Sequence, residues 1–172
     1  MPRSFSKVGQ ERIENPQLLV TRGQTISRTF YDGTAFDRVR FSDCRWEGCR
    51  FRGVHINPHS KFERCVFSRC RFERGDTNLN GDYLECRFED CSFANTGFRG
   101  ARFTRCRFSA RFTSVVIWGG EAEGWETVVE ECDFTASQFI DSDFRCGIDT
   151  STCTFPIGYD PHWFFPKQKP VA

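Results

Sequence analysis

The feature that most constrains this chain is a repeat of 21 residues that contains a finer period of five. FSDCRWEGCRFR from Phe41, FERCVFSRCRFE from Phe62 and YLECRFEDCSFA from Tyr83 align without a gap. Less regular copies start at Phe103, Val129 and Thr150. Neither a helical period nor strand alternation produces fives that persist over whole blocks. The repeat therefore predicts a chain that turns a corner every five residues and stacks each coil on the one before it.

Each five-residue step has a large apolar residue at its centre and a small residue two positions earlier. Centres stand at 41, 46, 51 and 56, at 62, 67 and 72, at 83 to 108 in fives, and at 129, 134, 139 and 144. The same step extends upstream through Ile26, Tyr31 and Phe36. Coils would stack at strand spacing, about 4.8 Å apart, so that residues 20 or 21 apart lie over one another. We therefore expect ladders of stacked phenylalanines in the interior.

This pattern is similar to the pentapeptide repeat, as CRFED, CSFAN, TGFRG and ARFTR at residues 86–105 illustrate. The resemblance covers roughly residues 24–155. It implies an all-β fold, a right-handed quadrilateral β-helix with four pentapeptides per coil and about six coils. Residues 1–23 and 156–172 are then expected to be the N- and C-terminal caps. The frame slips near Pro58 and across 75–80, which predicts local bulges in the coil.

The ten cysteines resemble a metal or disulfide framework until they are placed on the coil. One column contains Cys44, Cys65, Cys86, Cys106, Cys132 and Cys153, and a second contains Cys49, Cys70 and Cys91. Stacked side chains point in parallel, which disfavours disulfides. Structural zinc usually needs short loops bent round a tetrahedron, whereas cysteines along a coil point from different sides. We predict buried free thiols and no metal site, with Cys146 outside both columns.

Residue types that serve in catalysis occur without the partners that catalysis requires. The three histidines are scattered, at His55, His59 and His162. The glycine pair at 119–120 has no lysine and helix after it, as a phosphate-binding loop would. The sequence thus predicts no catalytic residue, no cofactor and no enzyme.

The lengths of the apolar segments predict the cellular compartment of the protein. No window approaches eighteen consecutive apolar residues, and the N-terminal stretch MPRSFSKVGQERIENPQ has no apolar signal core. We expect a cytoplasmic protein with reduced thiols and no membrane span.

Charge is distributed unevenly along the chain although the net charge is only +1. Residues 36–112 carry 16 basic and 10 acidic groups, whereas residues 113–160 carry 1 and 10. Because a stacked coil orders sequence along its axis, we expect a rod with a basic middle and an acidic C-terminal third. Arg52 and Glu73 are predicted to stack and to pair across coils.

The longest interval in the repeat marks an insertion of about one pentapeptide, WGGEAEGWE at residues 118–126. Its candidate partner-binding residues are two tryptophans and three glutamates: Trp118, Trp125, Glu121, Glu123 and Glu126. A segment too long for the coil must bulge outward, and an exposed tryptophan is a typical interface anchor. The alternative is that both indoles fold back onto the rod.

The C-terminal segment is rich in proline and aromatic residues, and it offers Trp163, Phe164 and Phe165. These three side chains are expected either to form a lid over the last coil or to make a homodimer contact. An open coil edge is an aggregation hazard, so one of the two roles has to be filled.

Two functions from different classes follow. The first is a rigid interaction module that docks a partner protein, for instance an immunity or antitoxin-type protein that blocks a bacterial toxin. The second is implied by the resemblance, because some pentapeptide repeat proteins imitate duplex DNA and bind DNA gyrase and topoisomerase IV. The acidic third and an insertion that resembles loops of quinolone-resistance relatives favour it, and the basic middle opposes it. Direct binding of nucleic acid is a weaker third choice, since the aromatic residues point inward.

Overall fold

A computed structural model describes residues 6–8, 12–14, 20–74, 77–120 and 126–161, with side chains from residue 21 onward. All of its regular elements are short strands, and paired strands run parallel. In chain order they are β1 Ser6–Val8, β2 Arg12–Glu14, β3 Val20–Arg22, β4 Thr25–Ser27, β5 Thr29–Asp32, β6 Ala35–Asp37, β7 Arg40–Ser42, β8 Arg45–Glu47, β9 Arg50–Arg52, β10 His55–Ile56, β11 Lys61–Glu63, β12 Val66–Ser68, β13 Arg71–Glu73, β14 Asn78–Leu79, β15 Asp82–Leu84, β16 Arg87–Ala94, β17 Gly97–Arg99, β18 Arg102–Thr104, β19 Arg107–Thr113, β20 Val116–Trp118, β21 Val128–Glu130, β22 Gln138–Ile140 and β23 Asp143–Arg145. The described residues contain no helix of the length and apolarity that crossing a bilayer requires.

Successive strands lie on successive faces of a four-sided coil. We number the faces so that β4, β5, β6 and β7 lie on faces 1, 2, 3 and 4. A seven-stranded sheet from β2 to β23 forms face 3, and a six-stranded sheet from β3 to β21 forms face 4. Faces 1 and 2 share a ten-stranded sheet, because β16 and β19 pass their common corner without a break. The β-helix implied by the resemblance to pentapeptide repeats is confirmed.

Strands occupy all four faces for about five turns, slightly fewer than the six coils expected. The sixth passage keeps β22 and β23 but otherwise consists of turns and an isolated bridge between Asp133 and Thr154. At the other end β1, β2 and β3 pair with β5, β6 and β7, so the described part of residues 1–23 extends the sheets.

The core contains aromatic ladders, formed mostly by the predicted centre residues and extended by Phe112, Phe155 and Tyr159. On face 1 successive rings stack 4.6–5.2 Å apart with planes within 9°, through Trp46, Phe67, Phe88, Phe108, Phe134 and Phe155. On face 2 the spacing is 4.2–5.0 Å, through Tyr31, Phe51, Phe72, Phe93, Phe112, Phe139 and Tyr159. Rings of adjacent faces meet edge to face, as Phe88 and Phe103 do. The interior of the described coils is therefore filled by side chains, and the surfaces considered below lie on the outside.

The predicted frame slips are turns at the corners of the coil. Between Ile56 and Phe62 the Ser60 amide donates to the Asn57 carbonyl at 2.9 Å. Between Phe72 and Leu79 the Thr77 amide donates to the Arg74 carbonyl at 3.0 Å.

A third slip was missed by the sequence analysis. Phe108 and Phe112 are only four residues apart, and the register between β16 and β19 shifts between Glu89 and Cys91, so Asp90 has no counterpart in the next coil. This deletion conceals the true size of the insertion. The step from Ile117 to Val129 is twelve positions, whereas the regular step between centre residues is five. The insertion is therefore seven residues long rather than about one pentapeptide.

The cysteine columns hold free thiols, as predicted. All ten are unpaired; eight are buried, and Cys146 and Cys153 are half-buried. Each column thiol donates to the carbonyl of a centre residue in the coil below, as Cys86 Sγ does to Phe62 at 3.3 Å. Ser60 and Ser137 fill equivalent positions and donate Oγ to Phe36 and Phe108 at 3.2 and 2.8 Å. The small residue thus serves as a hydrogen-bond donor between coils. Burial raises the pKa of Cys86 well above its ordinary value.

Thiol accessibility in the native protein checks this arrangement. With Ellman's reagent at pH 8 we expect at most two of the ten thiols to react within minutes, because only Cys146 and Cys153 are not buried. The remaining eight should react only as fast as the coil opens, and all ten should react in guanidinium. Rapid reaction of more than two native thiols would contradict the buried columns.

Candidate partner-binding surfaces

The insertion leaves the coil at the corner between faces 3 and 4. Its two ends are joined by a hydrogen bond from the Thr127 amide to the Trp118 carbonyl, 3.3 Å long. The Thr127 hydroxyl is buried and donates to the Phe98 carbonyl at 3.0 Å, which returns the chain to the solenoid. The base of the insertion is therefore closed and held by the coil below. Glu121, Glu123 and Trp125 lie outside the described residues, and Glu126 is exposed.

Trp118 ends β20 and lies on the outer side of face 3. Its register partners in the coils below and above are Arg99 and Arg145. The Arg99 guanidinium carbon lies 5.1 Å from the centroid of the Trp118 ring, a cation–π contact. The indole is half-buried. Of the two predicted indoles, the described one thus rests on the rod beneath an arginine.

A cleft of about 480 Å³ lies beside the base of the insertion. Three carboxylates line it, those of Glu126, Glu130 and Asp149, together with the backbone of Gly119 and Gly120. Within the described part of the chain Glu126 and Glu130 are exposed and form no ion pair. The Asp149 carboxylate accepts a hydrogen bond from the Ser151 amide at 3.0 Å. The cleft is acidic and borders the segment that interrupts the repeat.

Gly119 fixes the position of the insertion base because no side chain fits there. A Cβ at Gly119 would lie 2.5 Å from the Cys146 carbonyl oxygen and 2.9 Å from the Ile148 amide nitrogen. Gly119→Ala should therefore destabilise the protein by about 1–3 kcal/mol in chemical denaturation, since backbone atoms of the last coil must move. The matched control is Gly97→Ala on the same face, where the nearest atom, the Val116 carbonyl oxygen, is 3.8 Å away. An equal effect of both variants would contradict this account.

The described C-terminal segment continues two ladders. Phe155 stacks on Phe134 at 5.2 Å and Tyr159 on Phe139 at 4.2 Å, while the Tyr159 hydroxyl donates to the Ser142 carbonyl at 3.0 Å. Ile157 beside them is fully exposed. Trp163, Phe164 and Phe165 lie outside the described residues, so the choice between lid and dimer contact stays a prediction.

Charges at one corner of the rod are neutralised between coils. At the corner of faces 4 and 1 acids and arginines alternate up the column, through Asp43, Arg64, Glu85, Arg105 and Glu131. Arg64 contacts Asp43 at 2.7 Å and Arg105 contacts Glu85 at 3.0 Å. Hydrogen bonds from Arg64 lower the pKa of Asp43 to about 2. Such exposed pairs contribute little stability, but they leave this edge with little net charge.

Arg52 and Glu73 are stacked as predicted, but the predicted pairing between them is wrong. Arg52 Nε donates to Asp32 at 2.9 Å, and Glu73 pairs with Arg50 at 3.0 Å. Arg52 stacks between two carboxylates, Asp32 below and Glu73 above, and Glu73 is taken by Arg50. The Arg52 and Arg50 guanidinium groups both lie over the Phe30 ring of the lower coil, at 5.0 and 5.1 Å.

The C-terminal end keeps more of its negative charge. Asp143 forms an ion pair with Arg145 at 2.8 Å, and Asp133 forms one with Arg107 at 3.3 Å. Four further acids there are exposed and form no ion pair with described residues: Glu126, Glu130, Glu131 and Asp141. The acidic end expected from the sequence therefore remains an anionic surface.

In the comparison with known protein families, the five-residue repeat gives the match. The model for pentapeptide repeats finds eight copies in residues 77–109. These residues include Phe88, Phe93 and Phe108 of the face 1 and face 2 ladders. The resemblance to the pentapeptide-repeat family is confirmed over these residues. Among curated proteins none matches the chain significantly.

Solved structures similar to this chain include two of QnrB1, described as a plasmid-mediated fluoroquinolone resistance protein. A trypsin-treated variant is 19% identical, with 89% of this chain and 90% of that chain covered and a TM-score of 0.40. The full-length form is 18% identical, covering 89% and 92%, with a TM-score of 0.33. HetL, a pentapeptide repeat protein involved in heterocyst differentiation regulation from the cyanobacterium Nostoc sp., is 7% identical, covering 91% and 93%, with a TM-score of 0.25. The fold assignment rests on the strand pairing above.

The pentapeptide coil also brings together residues that the sequence analysis did not connect. Asp149 joins Glu126 and Glu130 because the last coil stacks on the base of the insertion. Arg99 covers Trp118 because β17 and β20 are adjacent on face 3. The 19-residue step from Arg99 to Trp118 is one short of a regular coil, so the register could be assigned only from the structure. His55 and His59 are exposed at the turn near Pro58, apart from this region.

Proposed function

We propose that this protein is a non-catalytic pentapeptide-repeat scaffold that binds a partner protein and blocks or protects it, as an immunity or antitoxin-type inhibitor of a bacterial toxin does. The binding surface is the insertion, residues 118–126, together with the acidic cleft at its base. The observation that carries the proposal is the way the coil holds this segment. Both of its ends are fixed to the solenoid, and three acidic residues line the cleft beside it.

Rigidity supports this role. The interior is filled by stacked rings, and the described backbone is joined from coil to coil by hydrogen bonds. A scaffold of this kind loses little conformational entropy when a partner docks, which favours tight binding from a modest surface. The acidic cleft selects a partner with a basic docking surface.

The test compares capture of a partner by wild type and by the Trp125→Ala/Glu126→Ala double variant in a bacterial lysate. We expect the double variant to lose the partner while its thermal unfolding is unchanged. Arg102→Ala is the matched control, because Arg102 is exposed on face 4 and forms no ion pair with described residues. Identical partners and yields from wild type and the double variant would remove the insertion from the proposal.

A second candidate is a DNA-mimicking binder of DNA gyrase or topoisomerase IV that confers resistance to topoisomerase poisons such as quinolones. The specific observation in its favour is the unpaired acidic surface of the C-terminal end, with Glu130, Glu131 and Asp141 exposed. The arginine-rich middle argues against it, because a DNA mimic should be negative along its length.

A gyrase supercoiling assay with and without a quinolone separates the two functions. DNA mimicry predicts inhibition or quinolone protection at micromolar protein, and loss of that effect in Glu130→Lys/Glu131→Lys. No effect at micromolar protein would exclude it, while leaving the binding of another partner open to the capture experiment.

A further inference from the structure

A basic groove runs along the rod at the corner between faces 1 and 2, diagonally opposite the insertion. It consists of two connected hollows of about 670 and 470 Å³ that share Arg69 and Arg71. Small side chains form its floor, among them Cys49, Cys70 and Cys91. The groove is thus separate from the insertion, and nothing proposed for the insertion applies to it.

The groove exists because the corner column lacks side chains at two levels. In the lower hollow the corner residue is Gly48, whose φ is +61°. A Cβ added to Gly48 would meet no atom within 4 Å. In the upper hollow the corner residue is missing, since the coil above Asp90 passes from face 1 to face 2 with one residue fewer. A side chain or an extra residue at either level would narrow the hollow.

Five arginines line the groove, against two acids. The arginines are Arg28, Arg50, Arg69, Arg71 and Arg111. Arg69 pairs with Glu47, and Arg50 pairs with Glu73 at 3.0 Å. Arg28, Arg71 and Arg111 are exposed and form no ion pair with any described residue. At the corner of faces 4 and 1 acids alternate with arginines, whereas three exposed arginines without a described ion pair lie together along this groove.

The spacing of these arginines fits an elongated ligand rather than a single anion. Arg50 and Arg71 occupy adjacent coils, and Arg111 lies two coils further on. At about 4.8 Å per coil, the step from Arg71 to Arg111 is about 10 Å, and the line from Arg28 to Arg111 extends over about 19 Å. About six residues of extended polypeptide cover that length.

The chemistry of the lining favours a polypeptide over a nucleic acid. Asp90 lies between the arginines, is exposed and forms no ion pair with described residues, so it would repel a phosphate chain but could receive an amine. Nucleic acids without base pairing also need aromatic platforms, and the nearby Phe30 ring is covered by Arg50 and Arg52. Carboxylates can pair with guanidinium groups in bidentate geometry without those requirements.

We propose that this groove binds an extended acidic segment of a partner polypeptide, with Arg71 and Arg111 as its principal carboxylate-binding residues and Asp90 accepting a basic side chain of the same segment. Recognition is through side chains, because backbone groups of neighbouring coils already bond to one another here, as the Ser92 amide does to the Cys70 carbonyl at 3.0 Å. The proposal is independent of the insertion and of the identity of the protein that the insertion binds.

The test measures fluorescence anisotropy of a labelled decapeptide of alternating glutamate and serine with one central lysine, added to the full chain at low salt. Wild type should bind it. Arg71→Glu/Arg111→Glu should bind at least about 10-fold more weakly, since two charge pairs are replaced by repulsion. Neither arginine has a partner in the described fold, so the variant should unfold at the wild-type temperature.

The matched control is Arg38→Glu/Arg102→Glu, which changes the net charge equally on other faces. It should bind the peptide within about 2-fold of wild type, apart from the long-range effect of net charge. Equal loss in both double variants would overturn the proposal as general electrostatic attraction. Tighter binding of a ten-nucleotide oligothymidine would assign the groove to nucleic acid instead, and no peptide binding at millimolar concentration would also overturn it.

Discussion

Phe88→Ala should be among the most destabilising single substitutions in this protein, with a loss of about 3–5 kcal/mol in the free energy of unfolding. Phe88 is 1% exposed and stacks between Phe67 and Phe108, at 4.9 and 4.7 Å with nearly parallel planes. Truncation removes both stacking contacts and leaves a cavity between coils whose backbones are held apart by their own hydrogen bonds. Chemical denaturation of the purified variant measures the loss.

Phe155→Ala is the control in the same column. Phe155 stacks on Phe134 from one side only, in the irregular last passage, and is half-buried. A solenoid in which each coil contacts only its neighbours should lose clearly less stability from a residue at its end. Equal losses at Phe88 and Phe155 would show that the ladder does not behave as a stack of nearest-neighbour contacts.

The fold could be predicted because every coil repeats the same physical requirement. An inward aromatic residue every fifth position and a small donor two positions earlier specify a corner, a face and a neighbour. The predicted centres from Phe41 to Phe108 lie on the ladders. Prediction failed where spacing changed without a visible marker. Arg111 and Phe112 follow a corner that has one residue fewer than the coil below, and only the register of β19 against β16 shows this difference.

The surfaces could be predicted less well, because they depend on which coils come together. The sequence located the insertion and the acidic C-terminal third, since both depart from the repeat. It could not show that Asp149 lines the same cleft as Glu126. Nor could it show that Gly48 and the missing corner residue open a groove beside Arg71, because that depends on two hollows joining along the axis.

Alkaline pH should weaken the fold through the buried thiols. Burial raises the pKa of Cys44 and Cys86 in the folded protein, whereas the same thiols in the unfolded chain ionise near pH 8.5. Below that pH both states carry the proton, and the contribution of the neutral buried thiol is fully present. Above it the unfolded chain releases protons that the folded chain retains, so the free energy of unfolding falls as pH rises. Each thiol that stays neutral contributes a slope of about 1.4 kcal/mol per pH unit.

Chemical denaturation under reducing conditions between pH 7 and pH 10.5 measures this slope, and two opposite substitutions assign it. Cys86→Ser should reduce the slope of the unfolding free energy against pH by the contribution of about one proton, because serine does not titrate. The substitution should keep the hydrogen bond, since Ser60 and Ser137 donate the same bond from equivalent positions. Ser60→Cys should make the decline steeper by a similar amount, since Ser60 is fully buried at the equivalent position. If neither substitution changes the slope, the alkaline loss of stability does not come from the columns, and groups such as Tyr31, whose pKa burial raises to about 12, become its source.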